Sequence, residues 1–84
     1  MNKRFVMIHL QEAMEQLQDT IKAVQEEGDY GREEFQVGMG HIYHHLNTAW
    51  NAQDASAERH KACSDEDFNT WRQFPKESEL MLGT

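Results

Sequence analysis

The sequence predicts an all-α protein in which two long helices form an antiparallel hairpin and a short third helix lies near the C-terminus. Three observations support this prediction. Apolar residues recur every three or four positions in two long segments, a glycine-containing break separates these segments, and a serine followed by three acidic residues opens a third segment at position 64. A strand would need apolar residues at alternate positions, and neither long segment has them.

The first helix is predicted over about residues 2 to 27, with Asn2 as a candidate N-cap. Its apolar residues form one stripe with alternating steps of three and four: Met7, Leu10, Met14, Leu17, Ile21 and Val24. Ala13 and Thr20 flank the stripe on one side, and Gln11, Gln18 and Gln25 flank it on the other. Both flanks are uncharged, so a neighbouring helix can approach on either side.

The second helix is predicted over about residues 31 to 54, with continuation to residue 62 or a restart capped by Asp54 or Ser56 as alternatives. Residues 28 to 31 interrupt the periodicity, and so short a connection makes the two helices antiparallel neighbours. The second stripe comprises Phe35, Met39, Ile42, Leu46, Ala49 and Gln53. We expect the two stripes to pack against each other as one shared apolar seam.

The third helix is predicted over about residues 65 to 74. Ser64 and the acidic residues after it form an N-terminal capping pattern, and Pro75 disfavours helical geometry at Phe74. Its aromatic residues are expected to lie across the open end of the hairpin, against Phe5, Ile8 and Trp50. Residues 76 to 84 form a tail.

Length, charge and cysteine content narrow the class of protein. Eighty-four residues correspond to one domain, and so small a chain gains from the extra burial that a second copy provides. A net charge of −7 argues against nucleic-acid binding, which requires clustered cations. No segment approaches the about 20 apolar residues of a membrane span. One cysteine cannot form an internal disulfide, so a cytoplasmic location is expected.

Three histidines in the second helix form the candidate metal site. His41 lies three residues before His44 and four before His45, so either pair can place two imidazoles on one metal ion. The third ligand would come from elsewhere, and the sequence offers His9, Glu12, Glu34 or the pair His60 and Cys63. The competing interpretation places His41 and His44 on a solvated face and His45 at the edge of the core. A divalent transition metal is therefore the alternative cofactor hypothesis.

The remaining asparagine and aromatic candidates are more typical of structural contacts than of a ligand or cofactor site. Asn47 and Asn51 flank Trp50, where amides typically hydrogen-bond a loop or chain end. Five aromatic residues are candidates for core or interaction contacts: Tyr43, Trp50, Phe68, Trp71 and Phe74. The sequence contains no recognisable catalytic constellation and no phosphate-binding loop.

The sequence therefore favours a non-enzymatic protein-interaction or regulatory module, with metal binding as the alternative function. Each long helix has an apolar stripe wider than one neighbour covers, which predicts a homodimer in which four long helices form a bundle. The alternative is a monomer whose third-helix aromatics seal the second face.

Overall fold

The computed structural model describes residues 1–81, and every regular element in this range is a helix. Two long helices, α1 (Lys3–Glu26) and α2 (Arg32–Asn51), precede three short ones, α3 (Ala57–Ala62), α4 (Asp65–Trp71) and α5 (Glu77–Leu80). The predicted all-α hairpin with a short helix near the C-terminus is confirmed. Across residues 1–81, no helix combines the length and apolar character needed to cross a bilayer. The end of the predicted tail, residues 82 to 84, lies outside the described range.

The two long helices run antiparallel, because contacts pair the start of α1 with the end of α2. The Asn2 backbone N–H donates to the Gln53 carbonyl at 2.6 Å, and His9 in the first half of α1 meets His45 in the second half of α2. Asn2 caps α1 as predicted, since its side-chain oxygen accepts from the Phe5 N–H.

Small residues build the seam between α1 and α2. Ala13 and Ile42 are 2% and 3% exposed, and Thr20 is also buried. A Cβ atom on Gly38 would lie only 2.9 Å from Thr20 Oγ1, so the two helices approach closely at that level.

The prediction that the two apolar stripes pack against each other is wrong, since Ile42 and Ala49 are the only stripe residues that are buried. The flank of α1 that carries Ala13 and Thr20 faces α2 instead. Small side chains allow the closest backbone approach, and the large side chains of both stripes are left side by side on one face of the hairpin.

The chain turns sharply after α2. The helix ends at Asn51, and α3 begins after Ser56, whose hydroxyl accepts from the Arg59 N–H at 3.2 Å. The alternative of a restart capped by Ser56 is confirmed, and continuation of the second helix to residue 62 is wrong. Hydrogen bonds from Asn2 stabilise the turn, because its N–H and its amide reach the Gln53 and Ala55 carbonyls.

Two asparagines of α2 hold α4 in place. Asn47 donates to the Arg72 carbonyl at 3.0 Å, and Asn51 donates to the Trp71 and Gln73 carbonyls at 2.9 and 2.6 Å. The predicted bracing role of these amides is confirmed. Helix α4 ends at Trp71, three residues before the predicted end, and the same bonds satisfy the carbonyls at this end of the helix.

Trp71 is the one aromatic residue of α4 that is buried, and it packs against Ala52 and Ala55. The His60 ring links it to the start of α1, because this ring lies 5.1 Å from Trp71 and stacks on Phe5 at 4.0 Å between centroids. The prediction that the aromatic residues of the third helix lie across the open end of the hairpin is therefore wrong in part. Helix α4 lies against the asparagine face of α2.

Candidate functional site

One face of the hairpin carries most of the large apolar side chains, and we call it the open face. Eight of its side chains are between 40% and 57% exposed. The face comprises Met7, Leu10, Met14, Leu17, Ile21 and Val24 of α1 with Phe35, Met39, Leu46 and Trp50 of α2. A water-exposed stripe of this length on both helices is unusual for a folded chain on its own.

Two apolar grooves lie along the open face, where the side chains of α1 and α2 meet. A groove of about 230 Å³ lies between Leu10, Leu46 and Trp50. Another of about 320 Å³ lies further along, between Leu17 and Phe35. Ridges of side chains separated by grooves are the surface that helices use to pack on one another.

The total surface of the chain is large for its mass. It exposes 6617 Å² at a mass of 9.9 kDa, whereas a folded monomer of that mass is expected to expose about 5,200 Å². The Cα radius of gyration is 14.6 Å, compared with about 12 Å for a compact domain of this length. Both values indicate that the chain has less interior than its size allows.

The charges at the two ends of α1 oppose its own dipole. Lys3 and Arg4 lie at the N-terminus, and Glu26 and Glu27 lie at the C-terminus. Each such charge disfavours the isolated helix by roughly 0.3–1 kcal/mol. The glutamine flank of the α1 stripe lies beyond the open face and adds no charge of its own.

The opposite side of the hairpin carries α3 and α4, and we call it the covered side. A cavity of about 120 Å³ lies beneath them. Its lining comprises His9, His44, Thr48, His60, Cys63, Phe68 and Trp71. Thr48 is 5% exposed, and its hydroxyl has no hydrogen-bond partner among the described residues.

Three side chains at the edge of this cavity converge on one point. The Nδ1 atoms of His9 and His45 are 3.3 Å apart, and a Glu12 carboxylate oxygen lies 3.0 Å from His45 Nδ1 and 3.9 Å from His9 Nδ1. These atoms form the one group within residues 1–81 whose spacing suits a metal ion. Both imidazoles are largely buried, whereas the Glu12 side chain is 47% exposed.

Burial lowers the pKa of His9 below that of an ordinary imidazole, an effect that Glu12 opposes and neighbouring histidines reinforce. Burial also lowers the pKa of His44, and the nearby His45 and His41 lower it further. The lowered pKa of each ring favours the neutral imidazole, which has a free nitrogen lone pair.

Of the three histidines predicted as metal ligands, His45 belongs to the group with metal-like spacing, and His41 and His44 do not. His41 is exposed and lines a shallow groove beside Gly38 and Tyr30. The His44 ring packs against His45 and Phe68, at centroid distances of 5.3 and 5.7 Å. His45 meets His9 and Glu12 of α1.

From the sequence alone, His9 and Glu12 were only two of several residues that could supply a third ligand. A stronger signal was present in the register of the hairpin. With a turn at residues 27–31, antiparallel pairing places residue 45 beside the turn of α1 that carries His9 and Glu12. Their spacing of three residues puts both side chains near one face of that helix.

The five predicted interaction residues lie in different environments. Trp50 lies on the open face, and Tyr43 lies at its border, where the Phe74 ring packs edge-on at 5.2 Å. Phe74 is 67% exposed and Phe68 is 41% exposed on the covered side. Trp71 is in the core.

Comparison of the chain with protein-family models, curated proteins and solved structures finds no match.

Proposed function

We propose that this protein is a non-enzymatic interaction module that assembles as a two-fold dimer through the open face, so that four long helices form a bundle. The observation that carries the proposal is a continuous apolar face on a chain that exposes more surface than its mass predicts. The acidic outer surface of the bundle is then the part available to other proteins.

The area fits a permanent dimer. The chain exposes about 1,400 Å² more than a monomer of its mass is expected to. Two copies that covered this excess would bury about 2,800 Å² in total, and permanent homodimers typically bury about 2,000–5,000 Å². A second copy also brings the same apolar ridges and grooves, so a two-fold axis matches each ridge of one chain to a groove of the other.

The charges favour an antiparallel arrangement of the two α1 helices. This arrangement places Lys3 and Arg4 of one copy near Glu26 and Glu27 of the other, and each pair offsets charges that oppose their own helix dipole. The Gln11, Gln18 and Gln25 flank faces the second copy and introduces no like-charge contact. A parallel arrangement would bring like charges together at both ends.

A monomer sealed by its own third helix is less consistent with these contacts. Helix α4 is held by Asn47 and Asn51 on the side of α2 that faces away from the open face. The aromatic residue that α4 buries, Trp71, packs in the core and not on the open face. The apolar stripe of α1 therefore needs a cover from outside the chain.

The test is the mass in solution, measured by light scattering after size exclusion for two matched variants. Val24 on the open face is 55% exposed and Val37 on the other side is 61% exposed, so Val→Glu at each adds the same charge at similar exposure. We expect the parent protein and Val37→Glu to have twice the 9.9 kDa chain mass. Val24→Glu should shift toward a single chain, because the interface would bury an unpaired carboxylate.

Two results would contradict the proposal. One is a parent protein with the mass of a single chain at about 100 µM, well above the Kd of a permanent dimer. The other is equal loss of the dimer in both variants, which would assign the effect to charge and not to the face. If the parent protein were monomeric and formed a stoichiometric complex with a different protein, the open face would be the binding surface for that protein and not for a second copy.

A further inference from the structure

We propose that His9, Glu12 and His45 form a binding site for a divalent transition-metal ion, with zinc as the first candidate. All three ligands belong to one chain and lie on the covered side. The inference is therefore independent of the proposed dimer.

The spacing of the donor atoms matches a metal coordination shell. Bonds of about 2.0–2.2 Å in a tetrahedral zinc site place neighbouring donor atoms about 3.3–3.6 Å apart. The three separations in this group are 3.0, 3.3 and 3.9 Å. A shift of a few tenths of an ångström, within the reach of the half-exposed Glu12 side chain, would bring all three into that range.

Proton accounting also favours a cation at this point. An imidazole Nδ1 carries either a hydrogen or a lone pair, so His45 cannot both donate to Glu12 and accept from His9. If His45 Nδ1 carries the hydrogen, the His9 nitrogen and the carboxylate both point lone pairs at it. In that tautomer three atoms surround one hydrogen, and a metal ion in its place would accept a lone pair from each of them.

The surroundings suit an ion that exchanges with solvent. The side chains of His9 and His45 are 19% and 23% exposed, so the helices fix their orientation, whereas Glu12 opens to water. Two histidines and one glutamate are a ligand set that zinc uses with water in the fourth position. Imidazole also suits copper and nickel, and copper binds most tightly in the general order of divalent affinities. Bound metal would join α1 to α2.

The test is a Zn²⁺ titration of the untagged chain against a chromophoric chelator at pH 7.5. We expect one ion per chain in the parent protein. His45→Gln should weaken binding by more than about 100-fold, the upper effect of losing even an indirect support of a metal ligand. His41→Gln is the matched control: it removes an imidazole from the same helix one turn earlier and should leave the affinity unchanged within about 2-fold.

A second pair of variants avoids the packed rings. Glu12→Gln changes a half-exposed ligand, and Glu15→Gln changes an exposed carboxylate on the same helix that lies outside the group. Only Glu12→Gln should weaken binding, with the helical circular dichroism signal unchanged in both. Absence of Zn²⁺ binding in the parent protein would overturn the proposal. So would equal losses within either pair, which would indicate adventitious binding to surface side chains.

Discussion

The covered side and the open face are built from the same two helices and differ in what packs against them. On the covered side, asparagine amides, a histidine stack and a buried tryptophan attach α3 and α4 to the hairpin. On the open face, large apolar side chains remain in contact with water. The difference teaches that the most regular apolar pattern in a sequence need not be the core of the single chain. It can be an interface.

The largest expected effect on stability concerns the buried contact between α1 and α2. Ile42→Asp should unfold the protein, because an unpaired buried carboxylate costs several kcal/mol against a total stability of about 5–15 kcal/mol. Glu15→Lys, on the exposed side of α1, should change stability by less than about 0.5 kcal/mol. Thermal melts followed by circular dichroism measure both. Similar melts for the two variants would show that the faces of the helices are assigned incorrectly.

A second comparison separates the covered side from the open face. Asn51→Ala removes two hydrogen bonds to α4 and should cost about 1–3 kcal/mol at any protein concentration. Leu46→Ala on the open face should cost about 2 kcal/mol in the dimer, and its melting temperature should rise with protein concentration more steeply than that of the parent. Melts over a 100-fold concentration range distinguish the two. A concentration-independent Leu46→Ala effect would place Leu46 in the interior of the single chain.

Periodicity and local capping patterns were sufficient to predict both long helices and the Asn2 and Ser64 caps, because each depends on residues close in the chain. The asparagine braces were predicted from the two amides beside Trp50, although the bonds that they form reach more distant residues. Periodicity could not decide which flank of the α1 stripe faces α2, since both flanks are uncharged. The structure selects Ala13 and Thr20 because small side chains let the backbones approach. The histidine group depends on the same long-range choice, which is why His41 and His44 were grouped with His45.

The smallest expected effect tests this close approach. Gly40→Ala should raise stability by up to about 1 kcal/mol, because the added Cβ meets open space and alanine favours a helix. Gly38→Ala should lose that gain or reverse it, because its Cβ would press on Thr20. Urea unfolding gives both values. An equal gain in the two variants would mean that the helices are further apart at Gly38 than the seam implies.

The open face has one chemical property that its shape does not reveal. Three of the five methionines in the chain, Met7, Met14 and Met39, lie on it. Oxidation would turn each thioether into a polar sulfoxide, a change that disrupts methionine-rich contacts and that reductase enzymes reverse. In the proposed dimer, peroxide exposure would thus weaken the contact between the two copies without a change in sequence, and the degree of assembly would follow the oxidative state of the surrounding medium.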